Sequence, residues 1–173
     1  MMRFFTQEWQ RGDLSDAEAE AVYPAYQQHL DTLVPKLPAT IRVLAWGINL
    51  HDGLIRQVRM NRPAATIAIE LRCGDLQVGY FDLDLTYGDV DFAASDLDDL
   101  SGAARDVEAS ALYDEIDRGT GACWVHRISF SPEREIAICF EALELHVIPR
   151  SHREFIRPEE PFIDVGPLPA TEQ

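Results

Sequence analysis

The chain has 173 residues, 46% of them hydrophobic, and carries 30 Asp and Glu against 15 Lys and Arg for a formal net charge of −15. That length and apolar content fill the core of one globular domain and exclude a disordered chain. Acid in such excess offers no basic face to phosphates, so no nucleic-acid partner is expected. No window approaches the roughly eighteen apolar residues of a membrane span either.

The first third reads as helical, over residues 6–47. Ser15-Asp16-Ala17-Glu18 is a capping box, and Ala19, Val22, Tyr23, Tyr26, Leu30, Leu33 and Val34 follow at spacings of three and four. This predicts an amphipathic helix ending before Pro35, with Pro24 kinking or splitting it. A second short helix is expected from about Pro38, turning Ile41, Leu44 and Ala45 inward and ending near Gly47.

From Leu54 the apolar period falls to two. Strands are predicted at 54–60, 65–72, 76–87, 110–117, 122–131 and 135–148, giving a β-rich part over 54–148. The third and sixth change phase midway, near Gly79–Phe81 and near Glu141–Leu143, and a one-residue slip turns every side chain to the other face. A bulge or bend is expected at each, and matching bends suggest a weak duplication. The fold expected is α+β: N-terminal helices, then a curved, mainly antiparallel sheet of about six strands resembling a half-barrel, in one domain over 1–150. The expected core includes Ile67, Ile69, Leu71, Leu83, Leu85, Trp124, Ile128, Phe130, Ile138, Phe140, Leu143 and Leu145. Residues 151–173 are prolyl-rich and are expected to run extended without a regular element, tacked down at most by Phe155, Phe162 and Ile163.

Between Phe81 and Asp117 twelve carboxylates face one cation, Arg105, so 37 residues supply a net −11. Such a run is solvated, holds a cation, or faces a basic partner. The partner reading makes the protein a non-enzymatic binding domain, immunity-protein-like in its charge, with Asp89, Asp91, Asp96, Asp98 and Asp99 as binding residues for a basic protein. The alternative is a metal-dependent phosphohydrolase built on Asp82 and Asp84. Phe81-Asp82-Leu83-Asp84-Leu85-Thr86 fits the D-x-D-x-T motif of haloacid-dehalogenase-like phosphotransferases, which would make Asp82 the nucleophile and Asp84 the acid/base. The remaining parts of that pattern are missing, so no catalytic residue is assigned and the motif reads as an outward-facing pleat. A cation site from Asp82, Asp84, Asp89 and Asp91 is a weak candidate, since the spacing does not match a calcium loop. No metal or other cofactor is expected.

His51-Asp52 reads as a turn in which Asp52 holds a backbone amide, rather than as part of a metal site. Cys123 and His126 point to opposite faces of a strand and cannot share a zinc ion, and His126 reads as a hydrogen-bonded core histidine. Three cysteines, Cys73, Cys123 and Cys139, without metal spacing suit reduced, buried thiols and a cytoplasmic location.

The runs Phe4-Phe5-Thr6-Gln7-Glu8-Trp9, Leu50-His51-Asp52-x-x-Ile55 and Ile136 through Leu145 together resemble a bacterial family of unknown function. Its members open with F-T-K-E-W, continue through helices to an L-H-D-x-x-I turn, and end in β-strands; Gln7 stands where lysine is usual. The likeness spans most of residues 4–148. It implies the helices-then-strands order and brings no activity.

Overall fold

The computed structural model describes residues 1–77, 79–150 and 162–165 of the chain. Four α-helices occur in it. The first, α1 (Gln7–Arg11), is capped by the Thr6 hydroxyl, which accepts from the Trp9 amide at 3.3 Å, and ends at Gly12 in the left-handed region. In α2 (Asp16–Leu33) the expected box forms, with the Glu18 carboxylate accepting from the Ser15 amide at 3.0 Å and its hydroxyl at 2.6 Å. Pro24 does not split α2: it lies on the exposed side, where the carbonyl that it leaves unpaired is open to water. A 3₁₀ turn (Val34–Lys36) leads to α3 (Ala39–Gly47), which buries Ile41 and Leu44.

The strands build two sheets instead of one. β1 (Leu54–Asn61), β2 (Thr66–Asp75) and β3 (Gly79–Gly88) form an antiparallel meander, and β4 (Ala111–Arg118), β5 (Trp124–Phe130) and β6 (Arg134–Phe140) form a second. The predicted sixth strand, 135–148, is divided at Glu141. Its first half is β6; its second half, β7 (Ala142–Arg150), crosses over and pairs antiparallel with β3. The phase slip near Glu141–Leu143 is thus real, but it marks a change of sheet rather than curvature within one. The half-barrel expectation gives way to an open five-stranded sheet of order β7-β3-β2-β1-β8 and a three-stranded sheet of order β4-β5-β6.

The other expected bend, at Gly79–Phe81, is not present. β2 and β3 pair without a shift from Ile67↔Tyr87 to Asp75↔Gly79, because the strand begins three residues later than predicted and Leu76 belongs to the turn. Gly74 is needed at that hairpin: its φ is +92°, and a Cβ there would lie 2.1 Å from the Gly79 carbonyl oxygen. Register shifts occur instead at Ile55/Gln57 in β1 and Ala111/Tyr113 in β4. The tail also departs from expectation: β8 (Phe162–Val165) is a regular strand, parallel to β1 from Val58↔Phe162 to Asn61↔Val165. Phe155 and the rest of 151–161 lie outside the described residues.

Helix α4 (Asp98–Arg105) falls in the stretch read as an acidic separator. Leu100, Ala103 and Ala104, at i, i+3 and i+4, are buried where α4 packs on β6 and β1. Helices α2 and α3 cover β4, and α3 also touches β7. All of the expected core residues are buried except Leu145, which is partly so.

Candidate functional site

The acidic segment divides between inward and outward groups. On β3, Asp82 stands opposite Arg72 of β2 and beside the end of β7, so cross-strand neighbours bring three guanidinium groups to it. Arg56 Nη1 donates to Oδ2 at 2.9 Å, Arg150 Nε donates to the same oxygen at 2.6 Å, and Arg72 Nε bonds Oδ1. The carboxylate is 0% exposed. Burial alone would raise its pKa, but the hydrogen bonds from Arg72 and Arg150 and the charge of Arg56 outweigh it and hold the group below the ordinary aspartate range. Both carboxylate oxygens are thus engaged by guanidinium groups, through three N–H···O bonds in all. Asp84, one pleat further on, is opposite Glu70 and His146; burial and the charges of Glu70 and Asp82 raise its pKa.

On β4 the inward acids hold the N-terminal segment. Glu115, 1% exposed, accepts the Arg3 amide at 2.8 Å on one oxygen and the Phe4 and Phe5 amides at 2.7 Å each on the other. Asp117 bonds the Arg3 guanidinium and accepts from Arg127 Nη1 at 3.2 Å. His29 Nε2 lies 3.1 Å from the second Asp117 oxygen but off the direction of a hydrogen bond. Burial would raise the Asp117 pKa; Arg3, the Arg118 amide and Arg127 bring it below the ordinary value. Asp106 pairs with Arg134 at 2.8 Å. The segment 82–117 therefore does not present one continuous acidic surface.

Its exposed acids are Asp89, Asp91, Asp96, Asp98 and Asp99, with Glu108 beyond α4. Asp89, Asp91 and Asp96 lie on the loop that runs along β6, the edge of the three-stranded sheet, and Asp98 and Asp99 open α4. The Asp96 amide and carbonyl both bond Ala137 at 2.8 Å, the Asp91 amide donates to Cys139 O at 2.9 Å, and the Ser95 hydroxyl accepts from the Cys139 amide at 2.9 Å. Asp91 Oδ1 also accepts the Ala93 and Ala94 amides, and Asp99 Oδ2 the Glu135 amide. Among the described residues none of these five aspartates makes an ion pair. Asp82 lies apart from Asp89 and Asp91 in its arginine cage, and no group of three or more His, Cys, Asp or Glu among the described residues is placed to hold a metal.

Two arrangements were not anticipated. His126 is buried and hydrogen-bonded, as its apolar face suggests, but its partners join the two sheets: Tyr87 Oη of β3 at 2.7 Å on Nδ1 and Asp114 Oδ2 of β4 at 3.2 Å on Nε2. Burial, with the Asp114 charge, raises the Tyr87 pKa well above its usual value, so the phenol keeps its proton. The imidazole thus bridges the phenol of one sheet and the carboxylate of the other. The second arrangement is a cleft of about 410 Å³ beside Asp114, closed by Phe5, Tyr23, Tyr26, Tyr113, Asn49 and His51. Ser110–Arg118 alternation could have shown that Asp114 shares a strand face with Leu112 and Ile116; nothing local shows that helices α2 and α3 leave a gap there.

The His51-Asp52 pair forms the expected turn with different contacts. Asn49 Oδ1 accepts the His51 amide at 3.0 Å, while Asp52, at φ +63°, reaches His51 Nδ1 at 3.2 Å. Cys123 and Cys139 are bridged as a disulfide, against the expectation of reduced thiols: β5 and β6 pair Val125 with Cys139, which puts Cys123 diagonally across from it. Cys73 is the free, buried thiol, its pKa pushed up to about 12 by burial and by the charges of Asp114 and Asp82. No helix among the described residues is long and apolar enough to cross a membrane. No protein-family model, no curated protein and no solved structure matches the chain.

Proposed function

We propose that the protein is a non-enzymatic binding domain whose acidic face docks a basic protein, as immunity proteins meet their targets, by charge steering. The observation that carries this is the contrast within one segment. Asp82, Asp106 and Asp117 each have a guanidinium partner, whereas Asp89, Asp91, Asp96, Asp98 and Asp99 are exposed with none among the described residues. Exposed charge of one sign gathered on a face raises association rates with a basic surface and is screened over a Debye length of about 8 Å at physiological salt. The reading includes a cytoplasmic location, in which the Cys123–Cys139 bridge would stand reduced.

The test uses a polylysine peptide as the basic probe and two charge-matched variants, Asp96→Asn/Asp98→Asn/Asp99→Asn and Asp13→Asn/Glu20→Gln/Asp31→Asn. All six positions are exposed, so both triples remove the same charge from solvated sites. The first triple should slow association and flatten its salt dependence more than the second. Equal losses would mean that net charge alone acts and that no face is specialised.

A further inference from the structure

The cleft between the helices and β4 brings together groups that none of the acidic-surface reasoning uses. Phe5 precedes α1, Tyr23, Tyr26 and Gln27 project from α2, Ala45 comes from α3, Asn49 and His51 from the turn beyond it, and Leu112, Tyr113 and Asp114 from β4. At about 410 Å³ it is the size of a site for a small organic molecule. Its walls are aromatic: the Phe5 ring stacks on Tyr113 with centroids 5.3 Å apart, meets Tyr26 edge-on at 5.2 Å and touches Tyr23 at 5.0 Å, while His51 meets Tyr113 edge-on at 5.5 Å.

Charge decides which molecule fits. No lysine or arginine lines the cleft. Among the described residues Asp114 makes one side-chain hydrogen bond, between Oδ2 and His126 Nε2, and its Oδ1 makes none. The Tyr26 hydroxyl oxygen is occupied by the Ile116 amide at 2.8 Å, and His51 Nδ1 lies 3.2 Å from the Asp52 carboxylate. An anion would meet the Asp114 carboxylate with no lysine or arginine in the lining to offset it. A neutral ligand would strip water from the carboxylate and return at most a hydrogen bond, leaving its charge uncompensated. A cation carrying N–H donors satisfies the free oxygen and gains the negative faces of the surrounding rings.

We infer that this cleft is a binding site for a small protonated amine with an apolar body, its ammonium group on Asp114 and its body against Phe5, Tyr23 and Tyr113. This site is separate from the acidic loop and does not depend on the partner reading.

The inference is tested on the full chain with three matched probes at constant ionic strength: phenethylamine, the neutral 2-phenylethanol and the anionic phenylpropionate, followed by calorimetry and by NMR shifts of the His51 and Tyr113 side chains. The amine should bind in the millimolar range or tighter, at least tenfold better than the alcohol, and shift both reporters; the carboxylate should not bind. Trimethylphenylammonium, which lacks N–H donors, should bind more weakly than the amine. Asp114→Asn should abolish the preference for amine over alcohol. Because Asp114 also supports His126, Tyr23→Ala, at a half-exposed wall residue, is a second variant and should weaken amine binding several-fold while the chain stays folded. Equal binding of amine and alcohol, no binding of the amine, shifts mapping elsewhere, or undiminished affinity in Tyr23→Ala together with a retained preference in a folded Asp114→Asn would each overturn it.

Discussion

The acids that lie on β3 and β4 and the acids of the loop between them belong to one stretch of sequence and meet opposite environments. A strand places each side chain beside neighbours on two other strands, so Asp82 receives Arg72 from β2, Arg56 from β1 and Arg150 from β7, and Asp117 receives Arg127 from β5. The loop along β6 spends its backbone on the sheet edge and sends the side chains of Asp89, Asp91 and Asp96 into water. Charge density along a chain therefore says little until the pairing partners are known; the same residue type is a structural rivet in one place and a solvated surface group in the other.

The sharpest way to break that contrast is Asp82→Asn. It leaves guanidinium groups around a neutral acceptor, and removing one member of a buried ionic cluster costs about 3 kcal/mol where, as here, the arginines retain some solvent. Urea denaturation should show a loss of that order; a change below about 0.5 kcal/mol would place Asp82 with the surface acids. Next in size is Glu115→Gln. One amide oxygen can still serve Phe4 and Phe5, but the new NH₂ confronts the Arg3 amide, and an unsatisfied buried donor costs about 2 kcal/mol. Amide exchange should quicken at Arg3, Phe4 and Phe5 beyond what global destabilisation explains.

The pH dependence separates the groups further. Asp82 and Asp117 have folded pKa values below the unfolded one near 3.9, so their contribution is fully present above that value and is lost as pH falls through the lower folded values. Each such group steepens the acid limb of the stability curve by at most about 1.4 kcal/mol per pH unit, and Asp82→Asn should flatten it. Asp84 has the opposite sign: its raised value contributes most below the unfolded pKa and its contribution fades as pH rises through the folded one. The smallest effect is expected for Asp96→Asn/Asp98→Asn/Asp99→Asn, within about 0.5 kcal/mol of the parent, because relieved repulsion offsets the loss of two acids from the first turn of α4. A larger loss in thermal melts would show that the loop acids also hold the fold.

Much of this was legible in sequence where the signal is local. The capping box at Ser15, the i/i+3/i+4 stripe of α2 and the alternation of Ile67, Ile69 and Leu71 each report one element and its buried face. The Arg72–Asp82 pairing was also within reach, since the hairpin turn fixes its register, as was Leu100, Ala103 and Ala104 as the buried side of α4. What could not be read is long-range. The slip near Glu141 marks a break, but which sheet takes residues 142–150 depends on β3, whose open edge is fixed by residues far upstream. Four residues, Phe162–Val165, among prolines carry too little pattern to announce a parallel strand.

The placement of β7 bears on how the chain is made. β3 finds β2 at once, through a hairpin, but its other neighbour ends at Arg150, and β1 receives β8 only once Val165 has been synthesised. During translation, then, a sheet with Ile69, Leu83 and Leu85 at its centre waits with both edges unpaired, the state in which strands recruit foreign strands. The amides of Arg3, Phe4 and Phe5 wait as well, until Glu115 has left the ribosome. Completion of the five-stranded sheet is thus gated by residues 142–165, and a chain truncated at Phe140 would hold the β4-β5-β6 segments beside an aggregation-prone half-sheet.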